Sequence, residues 1–303
     1  MKIKDIDIIY LSYDEPNAEE NYADLLTKAP WAKHVHGVEG SDAAHKACAR
    51  LSETSRFITV DADNKIYADF LEQEIDFKQY PYMKNAVLSW CGYNVVNGLM
   101  YGNGGLKCWP KDIVLDMKTH EASESEDIAS QVEFCWNLDY IQMNSCYSKV
   151  YNNASAKQAW RAGFREGVKM SLDRGTKFSS ITFSEEAYWQ NLHRLMIWQM
   201  VGADITNGIW AMYGARQGCY MTNLTDWDYV QVRDFAYLET LWEDVKKQIT
   251  PDNILSECTR LGKLLHQTLQ IPVDQVLSVN QSKMFKYSYT NTDRTGQGFI
   301  DIE

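Results

Sequence analysis

Arg56-Phe57-Ile58-Thr59-Val60-Asp61-Ala62-Asp63-Asn64 is the stretch whose reading decides the fold. An apolar, β-branched run of this length has the pattern of a strand covered on both faces, and it stops at two carboxylates separated by one residue. In extended backbone, residues i and i+2 point to the same side. Asp61 and Asp63 therefore converge at the C-terminal end of the strand, the edge at which open α/β sheets hold their ligands. Such a pair suits Mg²⁺ or Mn²⁺ bound jointly with a diphosphate. An isolated Asp-x-Asp is far more often a plain acidic turn, so the neighbouring sequence has to decide between the two.

Upstream, Ile6-Asp7-Ile8-Ile9-Tyr10-Leu11 reads as a second covered strand, and Ser12-Tyr13-Asp14-Glu15-Pro16 as a polar loop opening a helix that runs through Leu26. A short strand is expected over 33–38. The turn Gly37 to Asp42 then caps an alanine-rich helix over 43–51 that carries His45, Lys46 and Arg50. Together with the strand ending at Asp61 this is β-α-β-α-β, half of a doubly wound sheet. It contains no Gly-rich dinucleotide fingerprint and no Walker loop.

Downstream, strand character resumes at Ala86 to Cys91. The stretch Asn97 to Pro110 is glycine-rich and suits either a loop against a ligand or close approach of another strand. A short helix is expected over 111–117, an acidic, serine-rich mobile loop from Thr119 to Asp127, and a strand over 132–143. Over 155–172 the sequence reads as a helix. Lys157, Arg161, Arg165 and Lys169 recur every four residues as one basic stripe, and Trp160, Phe164, Val168 and Leu172 recur beside it as its buried side. From Ser184 the chain reads mostly helical (185–200, 226–249, 251–270), and Tyr287 to Gly298 as polar and turn-rich. A boundary near 178 separates an α/β portion, 1–177, from a mainly helical portion, 178–303.

Composition narrows the function classes. The net charge of −11 argues against uniform affinity for a polyanion, so any nucleic-acid contact depends on a local patch. The opening residues place charges inside their only apolar run and read as no signal peptide. The most membrane-like stretch, 195–213, carries Gln199, Asp204 and Asn207 and reads as a buried helix, so no membrane partner is expected. Seven scattered cysteines without a CxxC pair suit reduced thiols in a cytoplasm.

The strand–loop at Ser12 to Glu15, the basic helix around Lys46 and the strand ending in Asp61-Ala62-Asp63 resemble the GT-A superfamily of nucleotide-sugar glycosyltransferases. Val38 to Lys46, Asn97 to Lys107, Thr119-His120-Glu121 and Ala159 to Gly167 look, as a set covering roughly residues 5–175, like phage glycosyltransferases that modify hydroxymethylated pyrimidines in DNA. The resemblance implies a GT-A, Rossmann-like mixed sheet and a transferase using a UDP-sugar-type donor with Mn²⁺ or Mg²⁺. It assigns nucleoside contacts to Tyr13 and Asp14 in the first loop, beside Ser12, and metal and donor diphosphate to Asp61 and Asp63. It implies duplex DNA as acceptor.

The remaining candidates rest on residue chemistry. Lys46 meets phosphate or forms a solvated helix face. Asn103, Gly104, Gly105 and Lys107 are donor or acceptor loop candidates. Lys157, Arg161, Arg165 and Lys169 are DNA-contact candidates, with a solvated helix face as the alternative. Glu121, Asp127 and Asp139 are candidates for the base that an inverting transfer needs, and spacing singles out none of them. Other open readings are a polysaccharide or small-molecule glycosyltransferase, a nucleotidyltransferase, and a non-catalytic DNA-binding relative.

Overall fold

The computed structural model describes residues 1–122 and 138–290. Strands β1 (Asp7–Ser12), β2 (Lys33–His36) and β3 (Arg56–Asp61) are mutually parallel and alternate with helices α1 (Ala18–Lys28) and α2 (Ser41–Leu51), giving the β-α-β-α-β unit the sequence implies. β3 is buried from Arg56 to Val60 and emerges only at Asp61. Its Ile58 and Val60 pack with Ile8, Tyr10 and Trp90 on one face, and Phe57 packs with Ile9, Cys48 and Trp109 on the other. Four further strands, β4 (Asn64–Ile66), β5 (Val87–Asn94), β6 (Met100–Pro110) and β7 (Tyr140–Val150), complete a seven-stranded sheet in the order β2-β1-β3-β6-β5-β7-β4. β6 runs antiparallel to β3 and β5, and β4 antiparallel to β7. The fold is thus an α/β, Rossmann-like mixed sheet followed by a mainly helical C-terminal portion.

Several elements differ from expectation. The glycine-rich stretch is strand rather than loop: Asn103, Gly104, Gly105 and Lys107 all lie in β6. Leu106 and Cys108 enter one core layer and Trp109 the other, so alternating burial overrides the glycines' weak strand preference. Within the described residues, the strand expected over 132–143 begins at Tyr140 and continues to Val150. Asp127 and the rest of 123–137 lie outside the described residues. The apolar run over 195–213 is two helices, α6 (Trp189–Met200) and α7 (Gly208–Leu224). Gly202 at φ 143 and Asn207 at φ 59 hold backbone that a helix cannot use. Of the polar, turn-rich stretch expected over 287–298, residues 287–290 end a helix over Val279–Thr290, and 291–298 lie outside the described residues.

The helix with the basic stripe is α4, Ala156–Lys169. Ser155 caps it, with Oγ accepting from the Gln158 N–H at 3.1 Å. Its apolar side forms one cluster with Trp198, Trp210 and Trp242, which belong to the later helices. The α4–α7 seam is backbone against backbone. A Cβ added at Gly163 would stand 1.9 Å from the Ala211 carbonyl oxygen, and one at Gly214 would stand 2.2 Å from that of Trp160. This helix pair joins the two sides of the sequence boundary at 177/178. Among the described residues, no helix is long and apolar enough to cross a membrane.

Candidate functional site

The acid pair is held by a set of buried groups around it. The Tyr10 hydroxyl stands 2.7 Å from the Ala62 carbonyl oxygen and 2.8 Å from that of Ala18, and Asn21 Nδ2 donates to the Ala62 oxygen at 2.8 Å. These contacts fix the peptide between Asp61 and Asp63. Asn64 Nδ2 donates to Asp63 Oδ1 at 2.7 Å, while Asn64 Oδ1 accepts from Ser148 Oγ at 2.8 Å. Gly105 passes so close that a Cβ there would stand 2.4 Å from Asn64 Nδ2 and 3.0 Å from Asp61 Oδ2. Its φ of +78 suits glycine alone. The glycine-rich run therefore contributes close approach to the acid pair, one of the two uses its composition allows.

Burial, then the negative charges of Asp61 and Glu15, push the Asp63 carboxyl up to about 7. At neutral pH burial and the two neighbouring carboxylates oppose the ionised form of Asp63. Asp63 and Asp61 could hold a divalent cation, whose remaining positions would have to come from water and an oxygen-rich ligand. Among the described residues no group of three or more His, Cys, Asp or Glu side chains is arranged to hold a metal by itself, so such a cation would be completed by its ligand. The sign of the pH dependence follows. Because the folded value lies above the ordinary carboxyl value of 3.8, the stability linked to Asp63 is full below about 4, falls as pH rises to about 7, and is flat above. A cation bound there would displace the proton. Mn²⁺ affinity, read by titration calorimetry, is expected to rise about tenfold per pH unit below 7 and level off above it. In Asp63→Asn that pH dependence should disappear.

The first loop is tied to α4. Asp14 pairs with Lys157 at 3.1 Å and with Arg161 at 3.4 Å, and Glu239 pairs with the same two cations at 3.1 and 3.6 Å. Burial alone would raise the Asp14 carboxyl, but Arg161 and Lys157 outweigh it and hold it below the usual carboxylate range. Arg165, one turn on, has its guanidinium 4.8 Å from the Phe235 ring centre. The stripe is therefore not an open, solvated face: two of its cations are engaged by carboxylates, and the next turn lies against an aromatic ring. Tyr13 is half exposed. Ser12 Oγ lies 2.7 Å from His34 Nε2 and 2.8 Å from His36 Nδ1, an edge cluster that sequence reading did not assemble. Lys46 pairs with Asp42 on its own helix at 2.7 Å. Lys107 is buried in β6.

The base candidates separate. Glu121 accepts from the backbone N–H groups of Ser41 and Asp42 at 2.8 and 3.0 Å and so caps the N-terminus of α2. Asp139 precedes β7, which runs parallel to β5 with Val87 opposite Tyr140. It sits at the N-terminal edge of the sheet, opposite Asp61, and the structure does not bring it to the acid pair. Asp127 lies outside the described residues. Glu121→Gln is expected to lower Tm by about 2 °C through a weakened cap. Turnover should persist, in contrast to the roughly 10²–10⁴-fold loss that follows removal of a general base.

Two buried histidines complete the surroundings. His45, whose Nδ1 lies 2.8 Å from the Ser41 carbonyl oxygen, meets Trp109 edge-on. His120 is pushed down to about 4 by burial and by Lys169, Arg165 and Arg233. Asn64, Tyr10 and Asn21 are the supporting residues that sequence reading missed. Asn64 directly follows the acid pair and could have been suspected, whereas Tyr10 and Asn21 carry no local signal.

No family model matches the chain, and no curated protein does. Solved structures resemble it over part of its length, two of them as follows. One is the crystal structure of HddC from Yersinia pseudotuberculosis, at 18% identity and TM-score 0.24, covering 45% of this chain and 68% of that one. The other is a glycosyltransferase involved in glycosylation of the major capsid of PBCV-1, at 14% identity and TM-score 0.23, covering 35% of this chain and 61% of that one. Likenesses this weak say nothing about what the present chain does.

Proposed function

We propose that this chain is a glycosyltransferase that takes its sugar from a UDP-sugar-type donor, with Mn²⁺ or Mg²⁺ bound by Asp61 and Asp63. The observation that carries this reading is the acid pair itself. Two carboxylates end a buried strand at the ligand-binding edge, with Asp63 raised to about 7 and glycine backbone opposite. A divalent cation there supplies Lewis-acid stabilisation of the departing diphosphate. Asn64 fixes one Asp63 oxygen, and Tyr10 and Asn21 fix the intervening peptide, so that little reorganisation accompanies the charge development. The half-exposed Tyr13 offers a face to the nucleoside.

For the acceptor we propose the hydroxymethyl group of a modified pyrimidine in duplex DNA, on the strength of the sequence resemblance over residues 38–46, 97–107, 119–121 and 159–167. The pairing of Lys157 and Arg161 with Asp14 and Glu239 favours a second reading, transfer to a polysaccharide or small molecule, because phosphate contacts on a duplex need outward-facing cations. Incubation of the enzyme, Mn²⁺ and a panel of UDP-sugars with hydroxymethylcytosine-containing duplex, followed by nucleoside mass spectrometry, decides between them. A hexosylated or pentosylated nucleoside whose yield falls steeply with salt supports DNA. Transfer only to free sugars establishes the second reading, and release of pyrophosphate would make the chain a nucleotidyltransferase.

A further inference from the structure

Among the described residues, the carboxylates of Asp14, Glu239, Glu166 and Glu121 all have partners. Asp14 and Glu239 are taken by Lys157 and Arg161. Glu166 accepts from the Tyr101 hydroxyl, which in turn accepts from Trp198 Nε1 at 3.0 Å. Glu121 caps α2. Arg165 is left over. Among the described residues no ion pair engages its guanidinium, and its Nε is buried with no hydrogen-bond partner. One face of the group lies on Phe235, 4.8 Å from the ring centre, a ring it shares with Arg161 at 5.4 Å.

A half-buried cation whose Nε is sealed from water and unpartnered is costly, and Arg165 stands beside a second arginine on the same ring. Burial and the Arg161 charge both disfavour its charged form, while Glu166 and Asp61 favour it. Arg161, one turn earlier on α4, pairs with Asp14 in the loop that follows β1, and Leu11 near the end of β1 lies opposite Asp61, which puts this part of α4 at the sheet edge that carries the acid pair. A planar five-donor fork held on an aromatic ring with free N–H groups is built for a phosphate-type oxyanion. The burial of Nε favours a small, mobile anion over the backbone of a duplex.

Resting on the donor reading above, we propose that Arg165 is a metal-independent binding residue for the diphosphate of the donor and its nucleoside-diphosphate product, and that it is kept unpaired for this purpose at the expense of stability. The arginine then holds the leaving group from α4 while the acid pair holds it through the cation. It is a substrate anchor and not part of a surface stripe.

Titration with inorganic pyrophosphate in EDTA, where no divalent cation contributes, tests this directly. Wild type is expected to bind. Arg165→Met, which keeps the packing on Phe235, should bind about ten- to a hundredfold more weakly with Tm unchanged or raised. Asp63→Asn should bind at least as well as wild type, and UDP should compete while a duplex oligonucleotide should not. Equal binding by wild type and Arg165→Met, no binding by wild type, or competition by the oligonucleotide alone would overturn the proposal. Should Arg165→Met fail to fold, the claim that Arg165 is held at a cost to stability is wrong, and Arg165→Lys, which keeps the charge without the fork, reads the anion contact in the same titration. Pyrophosphate binding with no turnover of any nucleotide-sugar would leave the anion site standing and remove the transferase reading.

Discussion

Asp61→Asn and Asp63→Asn are each expected to reduce Mn²⁺-dependent release of nucleoside diphosphate by about 10²–10³-fold, the scale on which a preorganised electrostatic group acts on a developing charge. Neither should cost stability. At pH 8 the ionised Asp63 is opposed by burial, Asp61 and Glu15, so a neutral isostere removes repulsion. Its Oδ1 can still accept from Asn64 Nδ2, which lies 2.7 Å from the present carboxylate oxygen. The expected pattern is a large loss of kcat with Tm equal to or above that of wild type, the stability–activity opposition that marks a functional site. Parallel loss of activity and of folded protein would instead make the pair structural.

The second large effect lies in the helix seam, where Gly163→Ala and Gly214→Ala should destabilise although alanine is the better helix former by about 1 kcal/mol. The added Cβ atoms would stand 1.9 and 2.2 Å from carbonyl oxygens of the facing helix, well inside van der Waals contact. Those atoms belong to backbone and cannot rotate away, so α4 and α7 must separate. Overpacking of this kind typically costs about 1–3 kcal/mol and occasionally more. Here the same shift also loosens Trp160 and Phe164 from the cluster with Trp242, and a net loss of about 3 kcal/mol per substitution is expected, a large share of a typical margin of about 5–15 kcal/mol. Urea denaturation measures it. Leucine at either position should prevent folding. A midpoint unchanged by Gly163→Ala would mean that the helices do not meet in solution as they do here.

The β-α-β-α-β unit was legible because its signals are local: apolar runs of strand length, polar turns between them, and a helix-period stretch over 43–51. The acid pair at the end of β3 was legible for the same reason. What holds it was not, because Tyr10 and Asn21 reach Ala62 from 52 and 41 residues away, and Ser148 reaches Asn64 across 84. The four-residue recurrence of Lys157, Arg161, Arg165 and Lys169 correctly gave one face of one helix, but period says nothing about what that face meets. Asp14 and Glu239 arrive from opposite ends of the chain. Glycine-rich β6 was ambiguous because composition cannot tell close approach to a ligand from close approach to a neighbouring side chain. Here the approach is to the acid pair's own side chains.

The measurement that bears most directly on the central claim is nucleoside-diphosphate release from a panel of nucleotide-sugars, with Mn²⁺ and with EDTA, across pH 5.5–8.5. The account predicts release from at least one donor with Mn²⁺, none with EDTA, and a rise through about pH 7 as Asp63 gives up its proton. Release that is indifferent to EDTA, or absent with every donor, would contradict it.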